Sequence, residues 1–200
     1  RGIMLEQLGV PAVTDRNNIV AGNWIGTDAS GALRFGPQES GIIVNSRGER
    51  IGGPDPADAN VIVNCGGHGI EVGVHDGVVI EGNRIGIGPD GERPMANAGD
   101  GVRVTSSRVT IRGSSIANNG GLGIDLAGDG ITPNDPLDQD SGPNALQNFP
   151  EVTGQVTPSS NPTFTGTLES GPNAVSTVEL FLSESPDASG WGEGAHPFHS

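Results

Sequence analysis

The sequence contains no lysine, no tyrosine and a single cysteine, and its apolar runs are short. The lone Cys65 excludes an internal disulfide and a metal site built from paired cysteines. A membrane-spanning helix needs about 18 consecutive apolar residues, and no run in the chain approaches that length. These absences predict a chain with neither disulfide bonds nor a membrane span.

Basic residues are scarce and unevenly distributed. All ten bases are arginine, and the 24 acids bring the formal net charge to −14. Arg112 is the last base, so residues 113–200 carry eleven of the acids without a compensating positive charge. A field of this sign repels phosphate backbones and attracts cations such as Ca²⁺. The charge therefore argues against a nucleic-acid partner.

Turn-forming residues are abundant, and apolar residues occur in short groups between them. Glycine accounts for 34 of the 200 residues, more than twice its usual share of about 7%. Glycine, proline and asparagine all disfavour helices. Isoleucine and valine nevertheless recur with regular spacing, which argues against disorder. The composition favours a fold built from short strands and many turns.

The chain repeats itself at an offset of about 60 residues. Three segments match at an offset of 60, and a fourth matches at 54 because the first copy carries an insertion at residues 54–59. The matching segments are 22–26 with 82–86, 41–44 with 101–104, 50–52 with 110–112, and 61–70 with 115–124.

Smaller cycles lie inside each unit, and each begins with glycine followed by isoleucine or valine. The strands that follow are three to five residues long and alternate apolar with other residues, so one face points inward. Strands this short cannot form a sandwich core. Coils of about 22 residues, stacked at about 4.8 Å, bury each inward side chain under its equivalent one coil away. The pattern predicts an all-β parallel β-helix of about four to five coils, with one stack formed by Ile42, Ile70, Val102 and Ile124.

The turns between strands have their own pattern. Glycine and asparagine supply left-handed turn conformations. Asn23 and Asn83 occupy equivalent positions, which predicts an amide ladder between coils. The longer cycles carry loops at residues 27–40, 54–59 and 88–100, where side chains can differ without disturbing the stack.

Three segments carry a resemblance to a known family: residues 22–31 (GNWIGTDASG), residues 120–126 (GGLGIDL) and residues 144–150. They resemble the right-handed parallel β-helix repeat proteins of bacterial secreted and surface polyproteins, in which β-sandwich modules typically follow the helix. The resemblance implies a secreted or cell-surface location. The chain opens at Arg1 without a signal-peptide pattern, and we interpret it as a fragment of a longer protein.

The resemblance also implies a division into two parts. A β-helix is expected over residues 1–150, and a partial, immunoglobulin-like β-sandwich or strands packed on the end of the helix over residues 151–200. After Pro150 the sequence alternates apolar and polar residues at 152–156, 163–168 and 178–182, with a turn cluster at 158–162. Three antiparallel strands are too few to close a sandwich.

His68 is the one weak catalytic candidate. The tripeptide Gly67-His68-Gly69 resembles a motif of polygalacturonase-type glycosidases, which are also β-helices. Glycoside hydrolysis usually needs two carboxylates about 5–9.5 Å apart, and the strand offsets of 28, 32 and 22 residues do not assemble such a pair. The equivalent repeat positions hold Ser40, Asp100 and Leu122, so we interpret His68 as a turn residue.

A polysaccharide lyase is the related alternative. It would need carboxylates holding Ca²⁺ on one face of the helix and an arginine that removes a proton. Glu81 with Arg84 also fits an ordinary solvated surface pair. The outward residues available to a lyase are Glu71, Glu81, Arg84, Arg103 and Arg112.

An acidic loop near the end of the predicted helix is the best candidate for ion binding. Five aspartates fall between residues 125 and 140 with no base nearby, and oxygen-bearing residues are spaced two apart from Asp138 to Asn144, as in a calcium loop. The glutamate that closes an EF-hand loop is missing, so a merely solvated acidic turn is the alternative. The predicted Ca²⁺ ligands are Asp135, Asp138, Asp140 and Asn144.

Trp24 is the candidate ligand-binding residue. It matches Arg84 in the repeat, so it should face outward, where its ring could stack on a sugar or pack on a loop. Because no catalytic set is complete, we favour a noncatalytic extracellular stalk or adhesin that binds a polysaccharide or cell-surface glycan. A polysaccharide lyase or glycoside hydrolase and a purely structural spacer are the alternatives.

Overall fold

The computed structural model describes residues 2–7, 17–35, 39–154, 163–183 and 190–198. The turn cluster expected at 158–162 lies outside the described residues, as do parts of the 27–40 loop and of the strand expected at 152–156. Short β-strands dominate. Within the described ranges the helices are two 3₁₀ turns, Pro56–Asp58 and Pro143–Leu146.

Thirteen short strands lie between residues 3 and 126 of the described chain. They are β1 (Ile3–Glu6), β2 (Ile19–Val20), β3 (Trp24–Ile25), β4 (Ile42–Asn45), β5 (Arg50–Gly52), β6 (Val61–Ile62), β7 (Ile70–Val72), β8 (Val79–Glu81), β9 (Arg84–Ile85), β10 (Val102–Val104), β11 (Thr110–Arg112), β12 (Ser115–Ile116) and β13 (Ile124–Leu126).

These strands form three parallel sheets that the chain visits in turn. Sheet A has the order β1-β4-β7-β10-β13, sheet B contains β2-β5-β8-β11, and sheet C contains β3-β6-β9-β12. One visit to each sheet makes one coil. The described chain therefore completes four coils and begins a fifth, which confirms the predicted parallel β-helix and its coil number.

The stack predicted from the glycine-led strands is confirmed in sheet A. Ile42 pairs with Ile70, Ile70 with Val102, and Val102 with Ile124. Ile3 extends the stack by pairing with Ile42, a further rung that the sequence comparison had not identified. Inward-facing isoleucine and valine from the three sheets form one continuous core along the axis.

Close packing explains why glycine precedes the strands of sheet A. A Cβ atom at Gly69 would lie 2.5 Å from the Cγ2 atom of Ile85 and 2.6 Å from the carbonyl oxygen of Gly101. The chain therefore has no space for a side chain where it turns from sheet C into sheet A. This steric requirement produces the recurring pattern of glycine followed by isoleucine or valine.

A buried amide ladder crosses the turns that lead into sheet C. Asn23 donates from Nδ2 to Oδ1 of Asn60 (3.0 Å), and Asn60 donates from Nδ2 to Oδ1 of Asn83 (2.9 Å). The ladder predicted from Asn23 and Asn83 is confirmed, with Asn60 as the middle rung. The backbone N–H of Asn83 then donates to Oγ of Ser114 (3.2 Å).

A second ladder crosses the turns that follow sheet C. The N–H of Cys65 donates to Oδ1 of Asn97 (3.0 Å), and Nδ2 of Asn97 donates to Oδ1 of Asn119 (2.9 Å). The repeat match between Cys65 and Asn119 corresponds to this column. Cys65 itself is buried.

The C-terminal segment is antiparallel, as expected, but in the described residues it forms two separate pairs rather than the three strands expected at 152–156, 163–168 and 178–182. Strand β14 (Glu151–Val152) pairs with β15 (Gly166–Thr167), and β16 (Phe181–Leu182) pairs with β17 (His196–Pro197). Each pair forms a separate two-stranded sheet in the described part of the chain.

Part of this segment covers the last complete coil of the helix. The carbonyl of Gly194 accepts the N–H of Ile116 (2.8 Å), and the carboxylate of Glu193 accepts the N–H of Asn119 (3.2 Å) and its Nδ2 amide (3.1 Å). The carboxylate of Glu179 accepts the N–H of Gly113 (2.9 Å). We call Glu179, Glu193 and Gly194 the C-terminal cap, because they satisfy donors that a further coil would otherwise pair with.

Within the part of the chain that the structure describes, no helix has both the length and the apolar character needed to cross a membrane.

Candidate functional site

Trp24 lies on the outside of the helix, as predicted. In sheet C it occupies the same register column as Val61 and Arg84. Its side chain is 42% exposed, and Phe35 on the following loop is 50% exposed. The two rings line one open groove of about 420 Å³, together with Ile3 and Thr27.

A hairpin held by side-chain hydrogen bonds positions Phe35 beside this groove. Thr27 and Arg34 form an antiparallel bridge. The carboxylate of Asp28 accepts the backbone N–H groups of Leu33 and Ala32 (both 3.0 Å). These hydrogen bonds lower the pKa of Asp28 to about 2, and the one from Leu33 has the largest effect. The sequence predicted a variable loop here but gave no sign that Phe35 would join Trp24.

His68 is a turn residue held by its neighbour one coil away. The stacked positions are as the repeat predicted, since the N–H of Gly69 donates to the carbonyl of Asp100 (2.9 Å). Nδ1 of His68 lies 3.0 Å from both the backbone nitrogen and the Oδ2 atom of Asp100. Nδ1 cannot at the same time accept a hydrogen bond from the backbone N–H and donate one to Oδ2. The neutral ring protonated at Nε2 makes the hydrogen bond, and the charged ring makes the ion pair.

The outer face of sheet A places Glu71 and Asp125 in one column, but Arg103 lies between them, so no two carboxylates of this column lie on adjacent coils. Ile43, Glu71, Arg103 and Asp125 follow one another in register. The reason is that each lies two residues after the glycine that starts its coil, whatever the length of the intervening loop.

Two acids near this face of sheet A, Asp100 and Asp125, are buried and therefore out of reach of a ligand. Asp125 is buried and accepts the N–H groups of Gly128 (3.1 Å) and Gly130 (3.2 Å). Burial, followed by the nearby charge of Asp100, raises the pKa of Asp125. The Asp100 carboxylate accepts the N–H of Leu122 (2.9 Å). Asp100 and Asp125 are both buried and Glu71 lines an open groove, so these three carboxylates do not form an exposed acid pair for glycoside hydrolysis.

The other charged residues considered for a lyase form surface contacts. Glu81 pairs with Arg112, whose Nε lies 3.0 Å from Oε1, and not with Arg84 as the sequence suggested. Arg84 donates to the carbonyl of Pro89 (3.3 Å). The cause is the register, because Arg112 lies directly beside Glu81 in sheet B whereas Arg84 has turned into sheet C.

The acidic loop brings three of its predicted ligands together. Each of Asp135, Asp138 and Asp140 offers a carboxylate oxygen, and these three atoms lie within 4.8 Å of one another. Oδ1 of Asp140 is buried and has no hydrogen-bond partner. Partial burial, followed by the charges of Asp135 and Asp138, raises the pKa of Asp140. A bound cation would stabilise such a cluster, because coordination of the ion would replace the repulsion between the carboxylates.

Two asparagines near the loop have structural contacts. Asn144, the fourth predicted ligand, accepts the N–H of Val109 (2.8 Å) and donates to the carbonyl of Val109 (2.7 Å), so its amide is engaged with the edge of sheet B. Buried Asn148 accepts the N–H of Asp135 (2.9 Å), and its own N–H donates to Oδ1 of Asp138 (2.8 Å). Asn148 thus shapes the loop, although no sequence pattern marks it.

A comparison with known families finds a match to the fold. A family model described as a right handed beta helix region matches residues 40–132. The match runs from the start of β4 to just beyond β13 and covers slightly less than half of the chain. No curated protein and no solved structure matches the chain. Together with the parallel stacking, the match supports a right-handed parallel β-helix repeat.

Proposed function

We propose that the chain is a noncatalytic β-helix segment of a bacterial secreted or surface protein, acting as a stalk or adhesin that binds a glycan. The observation that carries the proposal is that Trp24 and Phe35, both well exposed, line one groove beside a hairpin held by side-chain hydrogen bonds. Aromatic rings offer large, flat apolar surfaces that suit the apolar face of a sugar ring. In this proposal residues 151–200 belong to the start of an immunoglobulin-like module, which the two antiparallel strand pairs support.

Binding of neutral oligosaccharides, screened on an array and measured by calorimetry, tests this proposal. Trp24→Ala and Phe35→Ala should each weaken binding about tenfold, because each removes an aromatic contact area. Leu33→Ala is the matched control, since Leu33 is exposed on the same hairpin and does not line the groove. Unchanged affinity in both aromatic variants would contradict the assignment, and no binding by the wild-type chain would favour the structural spacer.

We also propose that the acidic loop binds Ca²⁺ through Asp135, Asp138 and Asp140. The convergence of three carboxylates and the unpartnered Oδ1 atom of Asp140 support this site. The ion would stabilise the junction between the last coil and the C-terminal segment, because Asn148 also bonds to the carbonyl of Glu169 (3.2 Å).

Melting curves in matched ionic strength test the calcium site. Binding only to the folded chain stabilises it by about 2.7 kcal/mol at a hundredfold excess over Kd. Ca²⁺ should therefore raise the Tm by several degrees more than Mg²⁺ or NaCl does, and Asp138→Asn with Asp140→Asn should remove the difference. Glu92→Gln with Glu151→Gln, which removes two charges from exposed positions outside the cluster, serves as the charge-matched control. Equal shifts in all three salts would show that the loop is only screened.

A further inference from the structure

A second groove lies on the outer face of sheet A, and the proposed glycan contacts do not use it. It is open and measures about 490 Å³. Met4 and Ile43, which are neighbours in register, contribute apolar side chains to it. Its polar lining includes Ser40, Asn45, His68 and Glu71.

Two acids line this groove, Glu39 and, at its polar wall, Glu71. The Oε2 atom of Glu71 accepts the hydroxyl of Ser40 (2.9 Å), which orients the carboxylate. Arg103 lies beside Glu71 in register but makes no ion pair with it in the described structure. The guanidinium of Arg103 instead lies against Gly128, which has no Cβ that would collide with it. In the described part of the chain, therefore, no arginine forms an ion pair with the Glu71 carboxylate that lines the groove.

Apolar side chains beside an oriented carboxylate suit a particular kind of ligand. A pyranose ring has an apolar face that can pack on Met4 and Ile43, while polar groups fix its orientation. A protonated amine on that ring would form a charge-assisted hydrogen bond with Glu71, whereas a uronate would be repelled by Glu71 and by the net charge of −14.

We propose that this groove binds the protonated amino group of a hexosamine residue in a glycan, with Glu71 as its ionic partner. The inference deepens the proposed glycan binding and rests on it for the class of polymer. The two grooves share one loop, because Thr27 and Phe35 line the first while Glu39 and Ser40 line the second.

Calorimetric titration at pH 6 with three oligosaccharides of equal length tests the proposal: glucosamine, N-acetylglucosamine and galacturonate oligomers. The glucosamine oligomer should bind about tenfold more tightly than the acetylated one, as a charge-assisted hydrogen bond allows. Glu71→Gln should remove this preference and leave binding of the acetylated oligomer unchanged. The matched control is Glu81→Gln, which removes the same charge from the adjacent sheet.

The outcomes separate this inference from the proposed function. Equal losses in Glu71→Gln and Glu81→Gln would overturn the groove and indicate nonspecific attraction of a polycation. Equal wild-type affinity for the acetylated and amino oligomers, with loss on Trp24→Ala, would overturn the amine site and retain the aromatic one. Amine preference that depends on Glu71 but not on Trp24 or Phe35 would support this groove and reject the aromatic site.

Discussion

Asn83 should be the most important side chain in the ladder that joins the coils. It is buried, and its Oδ1 atom accepts both the N–H (3.2 Å) and the Nδ2 amide (2.9 Å) of Asn60. Its own Nδ2 donates to the carbonyls of Ile51 (2.9 Å) and Glu81 (3.1 Å). Asn83→Ala removes all four hydrogen bonds while the neighbouring coils remain in place.

The expected cost follows from the groups left without partners. Each buried donor or acceptor that loses its partner costs about 1–3 kcal/mol. Because relaxation recovers part of this penalty, we expect Asn83→Ala to lower the free energy of unfolding by about 3 kcal/mol. Asn23→Ala is the matched control, since Asn23 is the outermost described rung and half-buried. It should cost about 1 kcal/mol.

Urea unfolding followed by circular dichroism measures both variants. A third variant, Asn83→Asp, should be as destabilising as alanine at pH 7, because a carboxylate would face the carbonyls of Ile51 and Glu81. Burial should raise the pKa of the new carboxyl, so its stability should recover as the pH falls. Equal costs for Asn83→Ala and Asn23→Ala would refute the ladder as a source of stability.

Three further predictions concern Cys65, Asp140 and the C-terminal cap. Burial raises the pKa of Cys65 to about 11, so a thiol reagent should label it only as the chain unfolds; rapid labelling of the native protein would contradict this. Because the pKa of Asp140 is raised in the folded chain, the folded chain binds this proton at a higher pH than the unfolded chain does. Stability without Ca²⁺ should therefore rise as the pH falls through that pKa, and an identical pH profile in Asp140→Asn would disprove the cause. Glu193→Ala removes the carboxylate that accepts the backbone N–H and the Nδ2 amide of Asn119, so it should lower the free energy of unfolding, measured in urea, by about 1–3 kcal/mol. Glu151→Ala, at an exposed position, should leave it unchanged. Equal values for the two variants would argue against the cap.

The fold could be predicted because two local requirements recur in the sequence. Inward positions alternate with outward ones along each strand, and a glycine must precede each strand of sheet A where the chain passes close to the next coil. Ile42, Ile70, Val102 and Ile124 could therefore be aligned despite loops of different length. The rung at Ile3 escaped notice because the comparison matched later coils with one another.

The groove on sheet A could have been found by the same counting but was missed. The spacings of 28 and 32 residues between the coil-starting glycines also relate Ile43, Glu71 and Arg103, which lie in one column of sheet A. The aromatic groove is different. Phe35 reaches Trp24 through the hairpin held by Asp28, and no periodic pattern relates a loop residue to a strand residue.

The arrangement of the last coil limits how a helix of this kind can change its length. Glu193 and Gly194 occupy the edge of sheet C, and Asn144 occupies the edge of sheet B, so a new coil added there would displace all three. A duplication of the 60-residue unit within the stack would instead preserve every terminal contact. Each copy would add two rungs to each sheet and lengthen the molecule by about 10 Å at the usual strand spacing. In the proposed stalk, the distance between the two ends would thus change in fixed steps while the terminal contacts stay the same.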